Sequence, residues 1–176
     1  LESLSSFKGK LVLYIVDSIL SPGLNVILTK INPALVHLLI TTKHNEVIEY
    51  SNIGFRVSYD QQRISKNQIL PYSKDKKVID LLYAADYTKK KLHQLNSIIP
   101  EGLVCDVYGR NWKKNSKISI KPWLHGNDYF ETINKSKISL GIQNLEMNDS
   151  LTTRIFEIST SGSLLAADRF PEIEDI

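Results

Sequence analysis

The sequence predicts an α/β protein built on Rossmann-like parallel sheets. Three observations carry that expectation. From Lys77 onward, short apolar runs alternate with segments of helical spacing. The apolar runs are continuous rather than alternating, which fits strands buried on both faces. The connections are short and end in glycine or polar breaks, as in sheets whose strands are joined by covering helices.

The elements follow in order along the chain. Leu11-Val-Leu-Tyr-Ile-Val-Asp17 reads as a strand covered on both faces, and Ser21-Pro-Gly23 breaks it. Ala34–Ile40 is a second buried run. Lys43–Ile53 has helical spacing, with Val47, Ile48 and Ile53 on one side and Gly54 as the stop. Phe55–Ser58 reads as a short strand, and the polar stretch from Asp60 to Lys76, with Pro71, as a connection between two units. Strands are then expected at Lys77–Ala84, Leu103–Tyr108, Lys137–Ile142 and Ser163–Ala167. Helices are expected at Tyr87–Ile99, Asn127–Lys135 and Leu151–Ser161. Ligands of such sheets bind outside the carboxyl ends of the strands.

Composition narrows the classes. With 176 residues, 42% of them hydrophobic, the chain can bury a core and does not have a disordered composition. The formal charge of +3 is too small to argue for a nucleic-acid partner. Cys105, the one cysteine, excludes an internal disulfide framework and sits in an apolar strand-like run, as a buried side chain rather than a reactive thiol. No segment reaches the roughly 18 apolar residues of a membrane span. A reducing, cytoplasmic setting is the expectation. The first residue is Leu1, and the chain stops at Ile176 just after a new element begins, so it reads as a piece of a longer protein.

The candidate chemistry is concentrated near the end. Asp149 precedes the expected last helix and Glu157 lies within it. They read as a capping aspartate and a glutamate that is either exposed or partly enclosed, its carboxylate then partnered by ribose hydroxyls or by Arg154. Arg154 and Glu157 are three apart and share a face, which gives either an intrahelical pair or an arginine free to grip a phosphate. Lys89-Lys-Lys91 opens a helix, where cations are disfavoured unless an anion binds there or the face is simply solvated. His125 precedes another helix, as a capping or surface histidine or as a site residue. Tyr108-Gly-Arg-Asn-Trp112 interleaves aromatic and basic groups. That pattern allows single-strand nucleic-acid stacking, or a strand that ends at Gly109 with Trp112 packed in the following loop. His37, His44 and His93 share no zinc spacing, and no Asp-x-Asp pair, dinucleotide fingerprint, P-loop or nucleophile turn occurs.

Four segments in order carry a resemblance: Asp80–Ala85 before the lysine-rich helix, Val107–Trp112, Tyr129–Gly141, and Thr153-Arg-Ile-Phe-Glu157 running on to Gly162, with Pro171-Glu-Ile after it. Together they resemble the CgeB-like glycosyltransferases, often labelled spore-maturation proteins, and more widely the group 1 transferases of the GT-B fold. The resemblance implies that residues 1–70 are the C-terminal part of an acceptor-side Rossmann-like domain. Residues 74–176 would then be most of the donor-binding one. It implies a hexosyltransferase-type enzyme, whose activity needs the rest of the first domain. Such an enzyme moves a sugar from a nucleotide diphosphate sugar to a glycan, protein or surface polymer, without cofactor or metal, and by analogy with retention. Arg154 and Asp149 fall on catalytic positions. Glu157, Lys89, Lys91, Tyr108, Gly109, His125 and Thr153 fall on donor or nucleotide positions. The family's glycine after the first strand is alanine here, and Asp149 stands for a glutamate. These departures motivate the alternative of a degenerate, non-catalytic GT-B module that binds nucleotide or glycan.

Overall fold

The structure, a computed structural model, describes residues 8–64, 66, 69, 77–142 and 151–169. It contains two compact units, the first holding the chain up to Gln62 and the second Arg63–Ile142 with Thr153–Arg169. The α/β class with parallel sheets is as expected.

In the first unit, β1 (Val12–Ile15), β2 (Leu38–Thr41) and β3 (Val57–Tyr59) form a parallel sheet in that order. Helix α1 (Pro22–Leu28) joins β1 towards β2, and α2 (Val47–Asn52) joins β2 to β3. The break expected at Ser21-Pro-Gly23 is in fact this helix start, because Pro22 stands at its opening, where a missing N–H costs nothing. The inward side of α2 also differs. Tyr50 is fully buried among Leu39, Val36 and Phe55, while Ile48 and Ile53 face solvent. β1 is not covered on both faces, since Val12, Tyr14 and Val16 are about half exposed. Glu46 is buried and accepts hydrogen bonds from Ser18 Oγ at 2.5 Å and the Ile19 amide at 3.0 Å, which fix the turn after β1.

The second unit holds a five-stranded parallel sheet. Its strands are β4 (Ile79–Ala84), β5 (Cys105–Tyr108), β6 (Ile118–Lys121), β7 (Ser136–Gly141) and β8 (Leu164–Ala167), in the order β6-β5-β4-β7-β8. Helices α3 (Lys89–Ile98) and α5 (Thr153–Thr160) fall within the expected segments and α4 (Gly126–Asn134) begins one residue before its own, whereas β6 had no clear apolar signal. The run of β4 is apolar on both sides because both sides are packed. Leu81 and Tyr83 meet Leu95 of α3 and Ile99 just after it on one face; Leu82 and Ala84 meet Tyr129, Ile133 and Ile158 on the other. Each such aliphatic side chain contributes roughly 2 kcal/mol by leaving water. Burial raises the thiol of Cys105 to about 12, in keeping with an inert core residue.

Two devices set the helix ends. Thr88 caps α3 by accepting the Lys91 amide at 3.1 Å, a contact worth about 1 kcal/mol. Gly162, with φ of 74°, stops α5 in a conformation that other residues rarely adopt. The Nζ of Lys77 donates to the carbonyls of Asn134 and, at 2.9 Å, Gly162. One cation thus serves the last residue of α4 and the stop that follows α5, at helix ends where the dipoles favour positive charge. The chain leaves β4 for β5 on one side and returns to β7 on the other. The crevice at the carboxyl end of β4 is therefore the place where a parallel sheet accepts a ligand.

Candidate active site

A cleft of about 610 Å³ opens at that place. Ala84 and Ala85 form its floor where β4 ends, with Tyr108 at the end of β5 beside them. Leu124, His125 and Gly126 bring in the start of α4, and Arg154 and Glu157 bring in α5. The volume lies within the range that accepts small-molecule ligands.

Helix α5 reaches the cleft because its faces are sorted by charge. Ile155 and Ile158 are buried, and Arg154 and Glu157, three apart, point the other way. The guanidinium of Arg154 lies over the Tyr129 ring, with Cζ 4.9 Å from the centroid, and donates to the Tyr129 hydroxyl. That hydroxyl donates in turn to Glu157 Oε2 at 2.9 Å. The direct Arg154 Nε to Glu157 Oε2 distance is 3.8 Å. Burial, joined by the Glu157 carboxylate and opposed by the Arg154 charge, pushes the Tyr129 phenol well above its usual range. It therefore keeps its proton and acts as a donor towards Glu157.

The opposite wall is tied differently. Arg110 grips Asp86 with both its backbone and side chain: its amide donates to Oδ1 at 2.9 Å, Nε to Oδ2 at 3.0 Å and Nη2 to Oδ2 at 2.5 Å. These bonds hold the Asp86 carboxyl below its ordinary range. The turn between β4 and α3 is further fastened by the Ala85 amide on the Tyr108 carbonyl at 2.9 Å and the Tyr87 amide on the Arg110 carbonyl at 3.0 Å. The indole N–H of Trp112 donates to the Ala85 carbonyl at 2.7 Å. Trp112 is buried edge-on against Tyr83 and Tyr87, so its ring is packed and not offered for base stacking. The exposed Trp123 stacks on His125, with ring centroids 5.2 Å apart and planes 4° from parallel, and the Arg110 guanidinium lies 5.1 Å from the Trp123 centroid.

The structure brings together Arg154, Glu157, Lys91, Tyr108 and His125 from the residues singled out in the sequence. Lys91 Nζ donates to the Asp86 carbonyl at 3.2 Å. His125 caps α4 through its backbone conformation, with no side-chain capping bond. Gly109 does not line the cleft; a Cβ there would stand 1.9 Å from the Ala85 carbonyl oxygen, so the glycine permits the close approach of two backbones. Lys89 is exposed and Thr153 opens α5, and neither is among the lining residues. Asp149 and Pro171 lie outside the described residues. Sequence reasoning missed Tyr129, Asp86, Arg110 and Trp123 as site residues. Arg110 lay inside a noted motif, but its partner is 24 positions away and has no local signal. Among the described residues, no group of three or more His, Cys, Asp or Glu side chains is placed to hold a metal ion. No described helix is long and apolar enough to cross a membrane.

The wall built from α4 and α5 lies inside a stretch with a known family pattern. The glycosyl transferase-like family model matches residues 89–176, half of the chain. The chain belongs to that family. Sugar transfer in general goes with membership, and every cleft residue from Lys91 to Glu157 falls inside the matched half of this glycosyl transferase-like protein. No curated protein and no solved structure matches the chain.

Proposed function

We propose that this glycosyl transferase-like protein takes a sugar from a nucleotide diphosphate sugar and passes it to a glycan, protein or surface polymer acceptor, with no metal required. The observation that carries the reading is the pairing of Arg154 and Glu157 on the cleft side of α5, at the carboxyl end of β4. A nucleotide sugar presents an anionic diphosphate and a ribose diol, and these two side chains have complementary chemistry. Glu157 accepts from the diol, and Arg154 with Lys91 attracts the diphosphate. As the sugar–phosphate bond breaks, negative charge grows on the departing diphosphate, and fixed cations in the cleft stabilise it. The flat surfaces of Trp123, His125 and Tyr108 offer contacts for a base. Within the family, the Thr153–Gly162 run and the Tyr108-Gly109 to Trp112 strand end support the CgeB-like branch of the GT-B transferases.

A second reading has a specific basis. The amides of Ala85 and Tyr87 are engaged by the protein, so the turn after β4 offers a phosphate little. That favours a non-catalytic module that binds nucleotide or glycan. Thermal unfolding of the full-length protein with UDP, GDP and ADP tests the site. At least one should raise Tm, since a ligand at a hundred times its Kd adds about 2.7 kcal/mol. Glu157→Ala should lose most of that rise; identical responses of variant and wild type would sink the ribose assignment. Sugar transfer or donor hydrolysis that persists in a chelator separates the enzyme from the binding module.

A further inference from the structure

We infer that Tyr129 is a positioning residue of the donor site, holding Arg154 and Glu157 apart so that each faces the ligand; the inference rests on the nucleotide-sugar reading above. On an isolated helix, an arginine and a glutamate three apart close into a direct pair. Here the hydroxyl of Tyr129 stands between them, accepting from Arg154 and donating to Glu157 Oε2 at 2.9 Å, and the direct approach is left at 3.8 Å. Among the described residues, Oε1 of Glu157 has no hydrogen-bond partner, which leaves one carboxylate oxygen for a diol.

The hydroxyl is a fixed point because its ring belongs to the core. Tyr129 is 8% exposed, packs edge-on against Phe130 with centroids 5.2 Å apart, and joins Leu82, Ile133 and Ile158 in one cluster. Its ring also carries the Arg154 guanidinium, a contact that strengthens as water is excluded. Two functions are therefore separable in one side chain. The ring supports the guanidinium, and the hydroxyl orients the carboxylate.

Titration calorimetry with UDP, GDP and ADP, and with the 2′-deoxy form of whichever binds best, tests this on the full-length protein. Tyr129→Phe keeps the ring and loses the hydroxyl. It should unfold near the wild-type temperature, bind the nucleoside diphosphate about tenfold more weakly, and lose at least half of the preference for ribose over deoxyribose. The same substitution in a Glu157→Ala background should cost less, because part of the hydroxyl's effect acts through that carboxylate. Tyr129→Leu removes both functions and should weaken binding further. Wild-type affinity and ribose preference in Tyr129→Phe would overturn the inference while leaving the donor reading intact, as would an undiminished effect in the Glu157→Ala background. Failure of the wild type to bind any of the three diphosphates overturns the donor reading and this inference with it.

Discussion

The two walls of the cleft spend their hydrogen-bonding capacity in opposite ways. At the turn between β4 and α3, a parallel-sheet protein commonly offers backbone amides to phosphate. Here the amides of Ala85 and Tyr87 go to carbonyls of the β5 end, and the turn is sealed by Asp86–Arg110 and the Trp112 indole. At α5 the polar groups that line the cleft are side chains held on a core tyrosine. One wall is rigid because its hydrogen-bonding capacity is used internally. The other holds its two charges on either side of a third residue's hydroxyl, with Arg154 Nε and Glu157 Oε2 3.8 Å apart. On the proposed donor reading, affinity for the diphosphate comes from the side chains of Arg154 and Lys91 rather than from a preset loop.

The sharpest way to break the rigid wall is Gly109→Ala. The added carbon would stand 1.9 Å from the Ala85 oxygen and 3.0 Å from the Trp112 indole nitrogen, so the two strand ends must separate. A loss of roughly 3 kcal/mol in denaturant unfolding is expected. An unchanged midpoint would show that the β4–α3 turn is not clamped as described.

The cation side of the comparison is tested by neighbouring lysines. Lys91→Ala should weaken nucleoside diphosphate binding severalfold and flatten its salt dependence, whereas Lys89→Ala should change both less, since Lys89 is exposed away from the lining. Equal effects of the two in calorimetric titrations would mean that a diffuse basic field, not the cleft, attracts the ligand.

The smallest effect concerns Asp86. Its hydrogen bonds from Arg110 lower the carboxyl's pKa in the folded state. A depressed carboxyl pKa adds stability above the unfolded value, and that stability is lost as pH falls through the folded one. The Tm difference between wild type and Asp86→Asn should therefore be present at neutral pH and fade as pH drops below about 4. The difference should be small because the pair is exposed and screened by solvent. A gap that widens in acid would contradict the assignment.

Much of the second unit was legible residue by residue. Continuous apolar runs marked β4, β5, β7 and β8, helical spacing marked α3, α4 and α5, and Gly162 marked the stop of α5. The first unit was less legible. Pro22 reads as a breaker in a string, yet it starts a helix, and the inward side of α2 was decided by Tyr50 rather than by the isoleucines. β6, with lysine and serine among its isoleucines, has too short a pattern to stand out.

Local order along the chain determined the strands, the helices, and the shared face of Arg154 and Glu157, because spacing on a helix is fixed by its own geometry. The sequence alone also supplied the family resemblance. Only the tertiary structure decided what those charges do. Tyr129 is 25 positions from Arg154 and 28 from Glu157, and Asp86 is 24 from Arg110. Such pairs form when the sheet order brings α4 beside α5 and the end of β4 beside the end of β5. No local pattern of residues encodes a contact made by chain segments that far apart.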